Sequence, residues 1–232
     1  MNEALTLCGV SKSYPGVKAL LPTDLTLPRD RVIGLLGPNG SGKSTMLKLI
    51  AGLLVPDEGE ITVAGCPVGE ESRARLSYLP ERNSLPLRMT ATETVSYFSD
   101  FFGDFDKERA AGMLDRLSVP KDRPLRTLSK GNREKLQLAL VMSRRADLYL
   151  LDEPIGGVDP AARDFILSII KEMRAPGSII LISTHLIADV EPILDDYVMI
   201  KDGRLLRYDS VARTVATEGR SLDALFREVF RC

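Results

Sequence analysis

The sequence lacks several features that mark specialised classes of protein. Among its 232 residues, lysine and arginine number 31 and aspartate and glutamate number 32, so neither sign of charge dominates. This balance gives no support to nucleic-acid binding, and we expect no nucleic-acid partner. Only three cysteines occur, Cys8, Cys66 and Cys232, and they are far apart with no CxxC pair. A disulfide framework or a zinc site is therefore not expected, and a reducing compartment fits.

Long apolar runs are also missing. No stretch approaches the ~20 apolar residues that a membrane-spanning helix needs. Residues 1–4 carry neither the basic flank nor the apolar core of a signal peptide. We therefore expect a cytoplasmic protein. If it serves a membrane, it does so from the inner face and through a separate partner chain.

The apolar segments that are present predict an α/β fold. Uniformly apolar strand candidates, separated by helical stretches, indicate a mainly parallel sheet covered on both faces. These candidates are residues 31–36, 147–152, 178–183 and 197–200. Two short β-like runs, Leu5–Leu7 and Leu25–Leu27, flank the turn signal Tyr14-Pro15-Gly16 and predict an N-terminal antiparallel β subdomain.

Two other parts of the chain have helical character. Residues from about 85 to 135 show helical periodicity and many aromatics, which predicts a helical lobe inserted between strands. Most of these aromatics are expected in the core of the lobe, although one or two would suit a groove for a partner helix. The tail, residues 210–232, predicts an amphipathic helix, with one apolar face formed by Leu222, Leu225, Phe226, Val229 and Phe230.

A glycine-rich segment after the first buried strand candidate predicts a phosphate-binding loop. It fits G-x-x-x-x-G-K-[ST] with the residues Gly37, Pro38, Asn39, Gly40, Ser41, Gly42, Lys43 and Ser44, followed by Thr45. Such a loop directs backbone N–H groups and a helix N-terminus at phosphate oxygens. Lys43 would reach the β- and γ-phosphates of ATP, and the Ser44 hydroxyl would ligate Mg²⁺. The alternative, a glycine-rich turn without a ligand, does not explain the full match.

A pair of carboxylates, Asp152 and Glu153, directly follows the strand candidate at 147–152. Acids at the carboxyl end of a buried strand reach the crevice in which α/β sheets bind ligands. Asp152 would hold Mg²⁺, and Glu153 would orient or deprotonate the attacking water. Taken alone, the pair would suit the start of a helix equally well.

Five segments in a fixed order resemble the ATPase domain of the ABC family. They are the phosphate loop, Leu128-Ser129-Lys130-Gly131-Asn132, the acidic strand, Gly157-Val158-Asp159 and Ser183-Thr184-His185. The resemblance covers roughly residues 1–205 and implies a P-loop NTPase core, with ATP and Mg²⁺ as ligands. It places an ATPase domain at residues 1–209 and a C-terminal extension at 210–232.

The resemblance also implies roles for further residues. Tyr14 matches the aromatic that stacks on adenine, although a turn aromatic that packs locally is an alternative. Ser129 and Gly131 match the signature motif, which contacts ATP bound to the opposite subunit, and Ser129 is also a plausible helix N-cap. Asp159 matches the loop that joins the two active sites. His185 matches the switch histidine, so the catalytic candidates are Glu153, His185 and Lys43.

The chain departs from the family pattern in the signature motif, which reads Ser-Lys-Gly-Asn at residues 129–132 instead of Ser-Gly-Gly-Gln, and at Glu81. Lys130 stands where glycine is usual and adds a positive charge near a helix N-terminus. Glu81, in Tyr78-Leu79-Pro80-Glu81, stands where glutamine is usual, in the loop that joins the catalytic core to the helical lobe. A carboxylate could approach Mg²⁺, so Glu81 joins Ser44 and Asp152 as a metal candidate.

The variant motifs are similar to stand-alone ATPases of bacterial drug, lantibiotic or cell-envelope exporters. The resemblance implies an ATP-hydrolysing motor whose partners are a separate transmembrane permease and a second ATPase chain, identical or related. Its place would be the inner face of the cell membrane. A soluble ATPase acting on ribosomes or DNA is the alternative, but such proteins usually carry two ATPase domains or long coiled coils. A weakly catalytic regulatory module is a third reading, opposed by the intact Lys43, Asp152, Glu153 and His185.

Overall fold

The computed structural model describes residues 3–82 and 84–230, which form two β-sheets with helices packed around them. In chain order the strands are β1 (Glu3–Tyr14), β2 (Val17–Pro28), β3 (Val32–Leu36), β4 (Glu58–Val63), β5 (Cys66–Pro67), β6 (Leu76–Leu79), β7 (Leu148–Asp152), β8 (Ile179–Thr184), β9 (Asp196–Lys201) and β10 (Arg204–Ser210). The α-helices are α1 (Lys43–Ile50), α2 (Glu70–Ala74), α3 (Ala91–Phe101), α4 (Lys107–Arg116), α5 (Lys130–Met142), α6 (Pro160–Glu172), α7 (Ile187–Val190), α8 (Val211–Glu218) and α9 (Leu222–Val229). Along these described residues, no helix is both long and apolar enough to cross a membrane.

The first sheet is antiparallel, with the strand order β2-β1-β4-β5. β1 and β2 form a hairpin in which Leu5 pairs with Leu27 and Tyr14 pairs with Val17. The predicted N-terminal antiparallel subdomain is confirmed, but both strands are longer than the short apolar runs that indicated them. Their added length carries alternating polar residues, because an antiparallel sheet can keep one face in water.

The second sheet is mainly parallel, in the order β10-β9-β3-β8-β7-β6, with only β10 antiparallel to its neighbour. Every residue of β3, β7 and β8 is buried, as their uniformly apolar sequences predicted. The prediction of a parallel core is therefore confirmed. In the register of this sheet, Leu36 pairs with Thr184 and Asp152 pairs with Ser183. The carboxyl ends of β3, β8 and β7 consequently lie side by side.

Apolar side chains cover both faces of this sheet. Ile33 and Leu35 of β3 belong to a cluster that includes the antiparallel sheet and α1, whereas Val32 and Leu36 belong to a cluster that includes α5 and α6. Side chains alternate across a strand, so one strand contributes to two cores. Burying each such aliphatic side chain stabilises the fold by roughly 1.5–3 kcal/mol. The packing of both faces therefore holds the carboxyl ends of β3, β7 and β8 rigidly, together with the polar side chains that follow them.

The segment predicted as a helical lobe contains α3, α4 and α5. A capping box starts α3: the Glu93 N–H donates to Thr90 Oγ1 (3.1 Å), and the Thr90 N–H donates to Glu93 Oε2 (2.7 Å). Phe98 and Phe105 pack on the main core, while Tyr97 and Phe101 are exposed. α5 continues beyond position 135 to Met142, and the division of the chain into domain, lobe and extension stays a prediction.

Two further local features are the end of α1 and the state of the cysteines. The helix after the phosphate loop, α1, ends at Ile50. Gly52 follows with a φ of 67°, a left-handed conformation that turns the chain out of the helix. Cys8 and Cys66 are free thiols, and Cys232 lies outside the described residues.

Candidate functional site

The phosphate loop, residues 37–42, lies between β3 and α1 and packs tightly against neighbouring backbone. Gly42 has a φ of 107° and immediately precedes α1, and a Cβ there would collide with the Ala19 carbonyl oxygen. A Cβ at Gly37 would collide with the Ile200 carbonyl oxygen. Only glycine fits both places, because the chain must turn sharply and approach other backbone closely. The turn leaves the N-terminus of α1 facing an open cleft.

Lys43, the first residue of α1, is buried and folds back over this loop. Its Nζ donates to the carbonyl oxygens of Gly37 (2.7 Å) and Pro38 (3.1 Å). Burial lowers the pKa of the ammonium group, while the nearby Glu153, Asp152 and Glu81 carboxylates raise it. The Lys43 ammonium group is poorly hydrated, and its acceptors are uncharged carbonyl oxygens. An anionic ligand would therefore interact with it favourably.

Asp152 joins the loop to the end of β7. Its Oδ1 accepts hydrogen bonds from Ser44 Oγ (3.1 Å) and from Ser183 Oγ at the end of β8. Asp152 and Ser44 are separated by 108 positions in the sequence, so the parallel register brings them together. The carboxylate is almost fully buried, and its two hydroxyl partners are the compensation that a buried charge requires.

Glu153 directly follows β7 and adopts a left-handed backbone conformation with a φ of 51°. For a residue with a Cβ this conformation costs roughly 1–2 kcal/mol. The turn directs the carboxylate toward the end of β8, where Oε2 accepts from Thr184 Oγ1 (3.1 Å) and Oε1 lies 2.9 Å from His185 Nδ1. Strain of this kind concentrates at functional sites, because the surrounding structure must hold it.

These residues surround a cleft of about 280 Å³. Its lining residues are Val17, Ala19, Asn39, Gly40, Ser41, Gly42, Lys43, Ser44, Thr45, Glu81 and Glu153. The structure therefore brings the phosphate loop, Glu81 and Glu153 to one cleft, with Asp152 behind Ser44 and His185 on Glu153. This arrangement of a helix N-terminus, a lysine and carboxylates suits a polyphosphate with a divalent cation.

Tyr14 is not among the lining residues of this cleft. It is 42% exposed, and its hairpin partner Val17 lines the cleft instead. Sequence reasoning missed Val17 and Ala19, because their position depends on how the hairpin docks against the loop. It also gave no role to Ser183 and Thr184, although their place at the end of a strand beside His185 was a usable signal.

Ser129, Gly131 and Asp159 do not line this cleft either. Ser129 caps α5, which begins at Lys130, and its Oγ accepts from the Asn132 N–H (3.2 Å). Asp159 caps α6 by accepting from the Ala161 N–H (2.9 Å) at Oδ1. The predicted capping role of Ser129 is thus confirmed. None of these three residues can therefore contact a ligand that is bound in the cleft of its own chain.

Lys130 is exposed and lies close to its own helix. Its Nζ is 3.7 Å from Glu134 Oε1, one turn along α5. An exposed pair of this geometry contributes only about 0.3–0.5 kcal/mol. The lysine is therefore held loosely beside Ser129.

Comparison with known proteins gives consistent matches in sequence. The family described as ABC transporter matches residues 20–156. The chain is 36% identical over 211 residues to the Nod factor export ATP-binding protein I of Sinorhizobium fredii, covering 88% of this chain and 62% of that protein. It is 34% identical over 232 residues to the probable multidrug ABC transporter ATP-binding protein YbhF of Escherichia coli, covering 95% of this chain and 40% of that protein. The chain thus spans less than two thirds of these two curated relatives.

Solved structures match over almost the whole chain. The structure of an ATP-binding subunit of an ABC transporter has a TM-score of 0.87 and 29% identity, covering 98% of this chain and 100% of that chain. A dimeric ATP-binding cassette in a post-hydrolysis state, bound to ADP and Pi, has a TM-score of 0.79 and 22% identity, covering 89% of this chain and 98% of that chain. Because the identity to this second structure is only 22%, the similarity shows a shared fold and nothing more.

Proposed function

This chain belongs to the ABC transporter family, and on that premise we propose that it binds and hydrolyses ATP as the motor subunit of a membrane transporter. The observation that carries the proposal is the convergence of Glu153, His185 and the Asp152–Ser44 pair on the phosphate loop. These groups are of the kinds that phosphoryl transfer to water uses: a phosphate-binding loop, ligands for Mg²⁺ and a carboxylate that can orient the water.

Residues 37–45 hold the triphosphate. Backbone N–H groups of the loop and the N-terminus of α1 face the phosphate oxygens, where the helix dipole favours negative charge. Lys43 exchanges its present acceptors, the carbonyls of Gly37 and Pro38, for oxygens of the β- and γ-phosphates. The exchange is favourable because a charged acceptor makes a stronger hydrogen bond than a carbonyl.

The residues beside the phosphates fit a magnesium ion. Ser44 Oγ and Asp152 Oδ1 are hard oxygen donors 3.1 Å apart, and Glu81 lines the same cleft. Mg²⁺ takes few protein ligands and completes its shell with water and phosphate oxygens. When bound, the ion would neutralise charge on the β- and γ-phosphates. Ser44 and Asp152 would hold it, and Glu81 is the third candidate ligand.

Glu153 is the proposed general base. Its carboxylate accepts from Thr184 Oγ1 and contacts His185 Nδ1, so both oxygens have fixed directions before the nucleotide arrives. The base takes a proton from the attacking water as the water oxygen bonds to the γ-phosphorus. The bond between that phosphorus and the oxygen that bridges it to the β-phosphate breaks, and ADP is the leaving group. His185 holds Glu153 and directs its other ring nitrogen to the γ-phosphate.

The site within one chain is incomplete, and we assign the missing part to a second ATPase chain. Ser129, Gly131 and Asp159 match family residues that contact nucleotide across a dimer, and they lie outside the cleft of their own chain. A triphosphate needs donors on several sides, and the loop supplies one side only. Two chains, identical or related, would close over two ATP molecules, with Lys43 of one facing Ser129 of the other.

The partner that receives this motion is proposed to be a separate transmembrane permease at the inner face of the cell membrane. Relatives named for Nod factor export and for multidrug transport support the export direction. The aromatic surface at Tyr97 and Phe101 supports docking of a membrane-subunit helix, because exposed aromatics are typical of binding surfaces.

Replacement of Glu153 by glutamine tests the ATPase assignment. Glu153→Gln keeps the shape of the side chain but removes the base, so it should bind ATP while its turnover falls by roughly 10²- to 10⁴-fold. The matched control is Glu172→Gln on α6, which loses only an exposed pair with Arg116 of α4. Phosphate release and ATP affinity measured for both variants decide the matter. Near-normal turnover in Glu153→Gln would remove Glu153 from catalysis.

Purification from native membranes tests the partner. The chain, captured from detergent-solubilised membranes of its source, should bring a polytopic membrane protein with it, in an ATP-dependent amount. Recovery of ribosomal components or DNA instead would favour the soluble alternative.

A further inference from the structure

The segment that follows His185, residues 186–193, is held from two sides. We call it the His185 segment; it comprises Leu186, α7 and the 3-10 helix Glu191–Ile193. His185 itself is exposed and touches Glu153 through a single hydrogen bond. The position of its ring therefore depends on what holds the backbone immediately after it.

On one side the His185 segment is tied to α6. Arg163 Nη1 pairs with Asp189 Oδ2 at 2.8 Å, and Arg163 Nε donates to the Val158 carbonyl oxygen at 3.4 Å. Both side chains of the pair are largely buried, at 19% and 33% exposure, so water screens it less than a surface pair. Val158 directly precedes Asp159, which matches the loop that joins the two active sites. Through its two contacts, Arg163 therefore connects the His185 segment to that loop.

On the other side the His185 segment is tied to the C-terminal helix α9. The Leu222 N–H donates to Glu191 Oε1 (2.9 Å), and the Asp223 N–H donates to Glu191 Oε2 (3.2 Å). A helix leaves its first N–H groups without partners in the helix, and a carboxylate also interacts favourably with the positive end of the dipole. Glu191, 31 positions earlier in the chain, therefore supplies the charged cap of α9.

Apolar packing reinforces this cap. Leu222 and Leu225 of α9 are buried in one cluster with Ile187 and Val190 of α7. A short helix such as α9 is marginal on its own, so it depends on this contact for its stability. The dependence is mutual, because α7 is shorter still and has α9 against its apolar side.

We propose that Glu191 is a positioning residue for His185, and that the docked C-terminal helix is thereby part of the catalytic apparatus. Glu191 touches no nucleotide group; it acts by holding the His185 segment between α6 and α9. Loss of the cap releases the segment on one side, and the His185 ring loses its fixed position on Glu153. The proposal rests on the proposed ATPase function, but its NMR test below is independent of activity.

Steady-state kinetics provide the first test. Glu191→Ala should lower kcat by roughly tenfold or more, since a small misplacement of a catalytic group has that effect, while the affinity for ATP stays near normal. Glu191→Gln, which keeps one acceptor oxygen, should be intermediate. The matched control is Glu228→Ala on α9, which loses only an exposed pair with Arg220. Equal kcat in Glu191→Ala and Glu228→Ala would overturn the proposal.

A double-mutant cycle separates positioning from general destabilisation. If Glu191 acts through His185, then Glu191→Ala should have almost no further effect on single-turnover rate in a His185→Ala background. Independent, additive losses would overturn the proposal. Thermal unfolding of each variant establishes that the comparison is made on folded protein.

The third test uses the fact that His185 is the only histidine in the chain. In the full chain without a histidine tag, the ring signals of one imidazole can be followed by NMR without assignment. They should shift or broaden in Glu191→Ala and stay unchanged in Glu228→Ala. Unchanged signals in Glu191→Ala would overturn the proposal even if the kcat of that variant fell. Absence of ATP turnover in the wild type would count against the proposed function, and the NMR result would still decide the role of Glu191.

Discussion

At the scale of single residues, the site consists of side chains whose neighbours restrict them. Lys43 is buried and bonded to two carbonyl oxygens, and Glu153 is held in a left-handed turn by two partners from the end of β8. Such groups need little rearrangement when a ligand arrives, which is the basis of preorganised catalysis. Tyr14 and His185 are less restricted, because both are exposed, and Tyr14 also lies outside the cleft wall.

Tyr14 gives a prediction about the base of the nucleotide. If its ring stacks on adenine, Tyr14→Ala should weaken ATP binding by roughly 1–3 kcal/mol, the range for aromatic–base stacking, and Tyr14→Phe should leave it unchanged. Titration with a fluorescent ATP analogue measures both. Val17→Ala is the useful companion, because Val17 lines the cleft and pairs with Tyr14. A loss in Val17→Ala without one in Tyr14→Ala would assign the adenine contact to Val17 instead.

At the scale of elements, the corner between β10 and α8 contains a network of ion pairs centred on Asp209. Asp209 accepts hydrogen bonds from Arg213 Nε (2.6 Å), Arg207 Nη2 (2.9 Å) and the Ser210 N–H (2.8 Å). The bond from Arg213, with those from Arg207 and Ser210, lowers the pKa of Asp209 to about 2, against the opposing effect of burial. The network attaches α8 to the edge strand, and α8 leads directly into α9.

Because the pKa of Asp209 is lowered in the folded chain, we expect the free energy of unfolding to depend on pH. A carboxyl whose pKa falls from 3.8 to about 2 on folding contributes about 2 kcal/mol above pH 4, and this contribution is lost as the pH falls toward 2. Asp209→Asn should be destabilised by a comparable amount at pH 7, with a difference from the wild type that shrinks below pH 4. Urea denaturation across this range measures it. Asp115→Asn, at an exposed pair with Lys121, is the control and should show little change at any pH. A pH-independent difference would mean that Asp209 acts through packing.

At the scale of the whole molecule, the phosphate loop lines the cleft, whereas the signature residues Ser129 and Gly131 lie outside it. The cleft of one chain contains Lys43 but neither Ser129 nor Asp159. Much of the helical segment lies between the phosphate loop and the signature in the sequence. The phosphate loop leads into the N-terminus of α1, and the signature lies at the N-terminus of α5. A second chain is therefore the natural source of the groups that the cleft lacks.

Mixing two inactive variants tests this shared site. Lys43→Ala and Ser129→Arg should each be inactive alone, but a mixed dimer would contain one site with both defects and one site with neither. Partial recovery of ATPase activity on mixing is expected, provided that one intact site can turn over. Size-exclusion chromatography with ATP verifies that mixed dimers form. If they form without recovery, ATP occupancy decides: one nucleotide per mixed dimer supports shared sites that must fire together, whereas none would contradict sharing.

The local sequence alone determined the phosphate loop, the buried strands and the acidic pair. Gly37–Lys43 predicts a strand–loop–helix turn because glycine conformation and helix starts are short-range properties. The apolar runs of β3, β7 and β8 likewise predict buried parallel strands, since burial on both faces requires apolar residues at every position. The order of motifs then indicated the family that the comparisons establish.

Only the tertiary structure decided which of these groups meet. Ser44 and Asp152 bond across 108 positions, and Glu191 caps a helix 31 positions later, because sheet order and helix docking place them together. No local pattern contains that information. The same holds for the long β1–β2 hairpin, whose docking brings Val17 rather than Tyr14 to the cleft wall. The types of residue at this site follow from short-range chemistry, whereas their partners follow from packing between distant segments.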